Sequence, residues 1–418
     1  MHRRLLAATL VALLAGLGGA GPVAADLAHP VVVSTNPVDF TPHVLDGTIW
    51  ALAVVGDTVV VGGTFTQVTD RTRTTRYNRK NLFAYGLNDG VIRPFNPPVD
   101  GAVYALAAGA GNTVYVGGAF RNIAGRAQRG LARLSVPGGG LVPTFRAQIN
   151  WGDVRAVAVF GNRFYAGGTF TAVNGVARTA LARLDAGSGA VDNGFNASLS
   201  APGLSRTRVE HFDLSRDGRR MVAVGAIRKA AGRDRVQLVM LDTSGPRAVV
   251  TDWYTDAFRP ACKDTFETYL RQVKFSPDAS YFVTVTTGRL ADHNTLCDSA
   301  ARFDTAGTGR HWAKWINATG GDSLYSVAVT GAAVYVGGHQ RWMDNPYGRE
   351  SAGPGSVERM GIGAINPVTG KALAWNPTRT RGVGPRALVP TAGGLIVGSD
   401  TDQLGGEYHG RLGMFPLR

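Results

Sequence analysis

Cysteine is nearly absent from this chain: Cys262 and Cys297 are the only two among 418 residues. A pair that sparse excludes a disulfide framework and leaves room for one local staple in an oxidising compartment. Lysine is scarce as well, six of the 44 basic residues, so the net charge of +14 rests on arginine. Long apolar runs are missing. The single greasy stretch, Leu5 to Leu17, falls short of the roughly 20 residues that span a bilayer. No stretch sustains a helical period, which argues against bundles and parallel α/β folds. The histidines between His29 and His409 show no His-x-x-x-His spacing, and no Gly-x-Ser-x-Gly elbow occurs, so two common hydrolase signatures are lacking.

What the chain has in quantity is glycine, 56 residues, and a repeat that uses it. The stretch Val159-Phe160-Gly161-Asn162-Arg163-Phe164-Tyr165-Ala166-Gly167-Gly168-Thr169-Phe170 has relatives at Gly56–Phe65, Gly111–Phe120 and Gly331–Gly338. A repeat of this length, about 50–60 residues, has to be settled first because it decides the fold. Each copy opens with an alternating apolar strand (49–54, 103–108, 154–159, 324–329) and turns on Gly, Asn or Asp. It then runs through a Val-Tyr-Val-Gly-Gly strand into a variable polar loop. A Leu-Ala-Arg-Leu strand follows, and then a segment ending on an aromatic: Phe95, Phe145, Phe195 or Trp375. Period-two patterning with such turns reads as an antiparallel meander. A four-stranded meander cannot bury both faces alone, whereas radial stacking of copies does so, and that is a β-propeller.

Repeats open near Asp46, Asp100, Asn150, Arg206, Thr265, Asp322 and Gly382. The expected fold is therefore all-β, a seven-bladed propeller of four-stranded blades in one domain over 37–418. The last repeat stops one strand short, and Asn36–Pro42 resembles the missing strand, so the N-terminus should close the ring in the C-terminal blade. Residues 1–25 have the layout of a secretory signal: Arg3-Arg4, a greasy middle, then Val23-Ala24-Ala25 with cleavage after Ala25. Residues 26–36 form a short lead. The expectation is a secreted, extracellular monomer that does not insert into membranes or bind nucleic acid. Its charge, +12 once Arg3 and Arg4 are removed, has two readings: the codon bias of a GC-rich genome, or attraction to anionic polymers at a cell surface.

The Val-Tyr-Val-Gly-Gly-x-Phe, Leu-Ala-Arg-Leu-Asp and Phe-Asn-Pro motifs resemble the delta-60-type β-propeller repeats, domains of unknown function secreted by actinobacteria. The stretch from Phe266 to Asp278, with Thr286-Thr287-Gly288 and Thr295-Leu296-Cys297, resembles that group too. The resemblance implies the propeller fold and no settled activity.

Positions shared by every copy are scaffold, and function belongs where copies disagree. The residue after the first apolar position of each opening strand reads Trp50, Tyr104, Arg155, Glu210, Arg271, Tyr325 and Arg386. In a propeller these would ring one mouth of the central channel. Aromatic faces stack on sugars, and Arg forks grip carboxylate or sulfate. The competing reading is packing between blades, with Glu210 paired to a neighbouring Arg. The loops opening on that face add Trp342, the cluster Arg71, Arg73, Arg76, Arg79 and Lys80, and a Cys262–Cys297 disulfide. The Gly-Gly pairs should mark a bulge in strand two or a neighbour packed over missing side chains. Asp46, Asp100 and Asp322 read as turn formers, with a cation-holding ring as the alternative. The functional expectation is a non-enzymatic binder of a surface glycan, an anionic wall polymer or a secreted protein, with neither cofactor nor metal. The alternatives are a glycan lyase or hydrolase using a His, Tyr, Arg and Glu set in the funnel, near which His211 (beside Glu210), His311 and His339 could meet, and a protein interaction platform.

Overall fold

The computed structural model describes residues 28–289 and 295–417; the expected signal with its cleavage site, and His293, lie outside the described residues. Among the described residues there is no helix, and so none long and apolar enough to cross a membrane.

Seven antiparallel sheets follow one another along the chain. Their opening strands are Ile49–Val55, Val103–Gly109, Val154–Phe160, Arg208–Leu214, Leu270–Phe275, Leu324–Val329 and Ala387–Thr391. Each opening strand pairs with the Gly-rich second strand, which pairs in turn with the third. Opening strands of successive sheets lie side by side, and Ala387–Thr391 lies against Ile49–Val55. The buried side chains form separate clusters between neighbouring sheets. One joins Val60 and Phe95 of the first sheet to Val103 and Val116 of the second. Another joins Ile49 and Val59 of the first to Ala387 and Ile396 of the seventh.

The expectation of four strands per sheet holds only in the fourth and fifth, whose outer strands are Val249–Val250 and Trp315–Ala318. In the first, second, third and sixth sheets the fourth strand shrinks to a single bridge, such as Tyr85↔Ile92. After that bridge the chain turns inward to bury its aromatic: Phe95, Phe145 and Phe195 are at most 1% exposed and Trp375 is 5% exposed. Burying a ring removes far more apolar surface from water than one more ladder bond would offset. Pro94 and Pro143, which cannot donate to a ladder, help stop the strand in the first two sheets.

The seventh sheet ends at its third strand, Leu412–Pro416. Beside it run Ser34 and Val38, whose amides donate to the carbonyls of Pro416 (2.8 Å) and Met414 (2.9 Å). The lead before them is packed as well. Val33 is 1% exposed and its amide donates to the Tyr335 hydroxyl, the His29 ring reaches the Thr391 carbonyl, and the Trp375 indole donates to the Ser34 carbonyl.

Among the described residues, the polar loops between strands two and three are small hairpins in six repeats, Asn122–Ile123 with Arg126–Ala127 being one. Their two-residue turns, Ala124-Gly125, Asn174-Gly175, Ala231-Gly232 and Gly405-Gly406, have positive φ at both positions. That is the turn whose twist matches a hairpin.

Candidate functional site

In six sheets the ladder between strands one and two skips one residue of the opening strand. The skipped residues are Trp50, Tyr104, Arg155, Glu210, Arg271 and Tyr325. Arg386, immediately before the seventh opening strand, holds the matching place. A bulge adds a residue and re-aims its side chain. The bulge therefore sits in strand one, and the expectation of one in strand two is corrected. The Gly-Gly pairs lie opposite it and allow close approach. A Cβ on Gly117 would meet Val154 Cγ1 at 2.8 Å, and one on Gly167 would meet Val209 Cγ1 at 2.8 Å, each on the next opening strand.

Re-aimed in this way, all seven side chains line one cavity of about 840 Å³ that runs between the opening strands. Most neighbours among them touch around its mouth. Trp50 and Tyr104 meet edge to face at 5.5 Å. The Arg155 guanidinium lies 5.8 Å from the Tyr104 ring centre and 2.8 Å from a Glu210 carboxylate oxygen. Arg271 stands 3.5 Å from Glu210 on the other side. Arg386 covers the Tyr325 ring at 3.8 Å and the Trp50 ring at 4.8 Å. Both readings of the sequence therefore coexist: the belt is an inter-blade contact, Glu210 pairs with Arg, and the same groups face an open cavity.

Electrostatically the belt is uneven. Burial opposes charge on Arg155, but Glu210 and Asp153 outweigh it and raise its pKa. Burial lowers the pKa of Arg271 with only partial relief from Glu210, and it lowers that of Arg386. Arg386 Nε is buried without a hydrogen-bond partner among the described residues. Arg155, Arg208 and Arg271 thus crowd the one belt carboxylate, Glu210, while Arg386 sits between two aromatic faces with its Nε unpartnered among the described residues. Such a place suits a ligand with a carboxylate or sulfate beside a flat apolar surface.

Beyond the belt the wall is divided. Leu52, Leu106, Val157 and Leu388 make it apolar, whereas the fourth and fifth sheets contribute His211, Asp213, Gln272 and Lys274. Lys274 Nζ lies 3.0 Å from Asp213. Burial, with the Lys274 charge, holds the His211 pKa well below the ordinary imidazole value.

Other expected residues lie elsewhere. Trp342 does not line the cavity: it belongs to the hairpin Trp342–Met343 with Val357–Glu358 and carries Arg341 over its ring at 4.4 Å. The polar hairpin, whose strands need Trp342 in register with Glu358, keeps that ring away from the axis. His311 stacks on Trp253 at 4.9 Å, while His339 lies 5.9 Å from Tyr325, so the three histidines do not converge. Arg79 covers Tyr77 and donates to the Asn78 carbonyl, and Arg73 covers Tyr408. Asp46 and Asp100 accept from backbone amides of Thr66 and Gln67 and of Arg121 and Asn122, clamping the small hairpins. Asp322 pairs with Arg341 and Arg381. Among the described residues no group of His, Cys, Asp and Glu could hold a metal ion. Cys262 and Cys297 form the disulfide.

Three residues at this end escaped the sequence reading. Trp151 stands where the first and second repeats carry Gly47 and Gly101, and Arg206 and Phe266 open the divergent fourth and fifth repeats, so no shared side chain marks the three. Trp151 and Phe266 remain 39% and 48% exposed.

Comparison with known proteins agrees with this architecture. The profile of the family described as "Domain of unknown function (DUF5122) beta-propeller" matches residues 162–195, which span strands two and three of the third sheet and Phe195. No curated protein matches the chain. Among solved structures, the WD40 beta propeller domain of Doa1 is similar at 8% identity, covering 86% of this chain and 94% of that one, with a TM-score of 0.50. Kuenenia stuttgartiensis hydrazine synthase (12% identity, 85% and 93% covered, TM-score 0.48) and the computationally designed Ika8 protein (13%, 89% and 97%, TM-score 0.47) are also similar. The Doa1 likeness speaks for fold alone, and together with the profile match it supports a β-propeller fold for this all-β chain.

Proposed function

We propose that the seven sheets are the blades of one ring closed by the N-terminal strand, and that this ring is a secreted, non-enzymatic binder of an anionic cell-surface glycan or wall polymer. The belt of Trp50, Tyr104, Arg155, Glu210, Arg271, Tyr325 and Arg386 is the binding site. One observation carries the reading: the Arg386 guanidinium, its Nε without a partner among the described residues, held between the Tyr325 and Trp50 rings at the mouth of a cavity. Aromatic faces supply the stacking surface and the guanidinium supplies the fork for an acidic group. The signal pattern at 1–25 and the disulfide support export.

Binding to immobilised acidic glycans and wall polymers tests this, with Arg386→Gln beside the wild type. Loss of one charge-assisted contact should weaken binding about tenfold or more. Unchanged binding in the variant would remove the belt from the account. A catalytic reading has one observation of its own, the neutral His211 imidazole facing the cavity beside Glu210. It requires new reducing ends or unsaturated products on incubation with the bound polymer and their loss in His211→Ala; intact polymer would dismiss it.

A further inference from the structure

The belt does not end at the cavity's edge. Arg271, which contacts Glu210 from within the mouth, also lies 5.3 Å from the centre of the Phe266 ring outside it. Glu267, the next residue, accepts the Ser205 amide at 2.6 Å, joining the opening of the fifth repeat to that of the fourth. Arg206 then lies 5.8 Å from the centre of the Trp151 ring. From Trp151 the chain runs two residues to Asp153, which pairs with Arg155 at 3.1 Å, and Arg155 returns to Glu210. The contacts form a circuit, so Trp151, Arg206, Phe266 and Arg271 border one sector of the mouth.

Both rings in that sector stay exposed although each is held. The Trp151 indole donates to Thr171 Oγ at 3.0 Å. The segment carrying Phe266 is tied down by the Glu267 contact and by the Cys262–Cys297 disulfide nearby. A large aromatic kept partly in water at fixed orientation forgoes favourable burial, and a guanidinium beside it offers a second mode of contact. Alternating rings and cations suit a flat, repeating, negatively charged chain. Sugar rings lie on the aromatic faces while their carboxylates meet the arginines.

We propose that Trp151, Arg206 and Phe266 form a rim track continuous with the belt, and that the ligand is a linear acidic polysaccharide long enough to occupy both. This rests on the glycan-binding reading above and deepens it, since the belt alone would accommodate a short acidic sugar equally well.

The test is calorimetric titration of the mature chain with polygalacturonate fragments: a dimer, a tetramer and an octamer. Wild type should bind the octamer more tightly than the dimer. In Trp151→Ala/Phe266→Ala, dimer affinity should stay as in wild type, while octamer affinity should fall about tenfold, removing the gain with length. Trp151→Tyr/Phe266→Tyr should restore it, because the faces return. A length gain left intact in the alanine variant would overturn the track while leaving the belt standing. Fragment affinities of every length unchanged in Trp50→Ala would overturn the belt reading, and the track with it. Failure of wild type to bind any fragment would overturn the acidic-polysaccharide assignment.

Discussion

At the scale of single residues, arginine does two different jobs. Arg183, 1% exposed, covers the Phe195 ring at 4.6 Å, pairs with Asp192 and donates to the carbonyls of Gly245 and Pro246 in the next repeat. Arg133 and Arg302 in the matching strands reach Ala186 and Pro367 in the same manner. These guanidinium groups staple one sheet to the next, and a planar fork does this better than an ammonium. Much of the arginine content is therefore architectural, and the belt arginines are a minority with open faces. Sequence alone could not separate the two, because Leu-Ala-Arg-Leu shows which strand carries the arginine and not what lies across it. Asp298 is a different case. It occupies the positive-φ position before the third strand of the fifth sheet, fully buried, with one oxygen on Ser323 and the other without a partner among the described residues. Burial, helped by the charges of Asp322 and Asp264, pushes its pKa up to about 7. The folded protein thus keeps a proton that the unfolded chain releases near 3.8. The stability that this proton contributes is full at low pH and is lost as pH rises from about 4 through about 7. Thermal unfolding of Asp298→Asn against pH should lack that decline and leave the variant relatively more stable above pH 7. Parallel curves for the two proteins would contradict the assignment.

At the scale of the element, the bulge and the glycine pair opposite it are one device. The bulge turns a side chain toward the axis, and the missing side chain behind it lets the next opening strand approach. Gly167→Ala would bring a Cβ within 2.8 Å of Val209 and 2.9 Å of Phe212. Overpacking of that kind costs about 1–3 kcal/mol. A denaturant midpoint shifted accordingly, with unchanged affinity for the ligand, is the expected result; a midpoint equal to wild type would deny the close approach. The position of each belt residue was legible because seven aligned copies put an aromatic or charged residue at one register place amid Val, Ala and Leu. The bulge itself was not, since a skipped pairing leaves no mark on composition. Nor were the single-bridge fourth strands, whose apolar residues read equally well as ladder or as anchor. The small hairpins had a signal in Asn174-Gly175 and its counterparts, obscured by their short strands.

For the whole molecule, the issue is how a chain of local meanders becomes one body. The contact of Ala387–Thr391 with Ile49–Val55, and the bonds from Ser34 and Val38 to the last strand, both join the chain's two ends. Repeat length and the shortened last copy made that arrangement legible, whereas the docking of His29 and Val33 was hidden in a lead without pattern. Removing residues 28–42 should expose the edge of Leu412–Pro416 and the apolar seam beneath it. An unpaired edge of this kind templates association, so light scattering should show aggregation and thermal unfolding should broaden. A sharp, monomeric transition would contradict closure of the proposed ring by the chain's ends. The claim that the mouth is where the molecule acts calls for titration of an acidic glycan into wild type and Trp50→Ala/Tyr325→Ala at low and high salt. Wild-type binding should weaken with salt yet persist, and it should disappear in the double variant at both concentrations. Binding that survives in the variant and vanishes in both proteins at high salt would reduce the interaction to diffuse arginine charge and contradict the belt as a site.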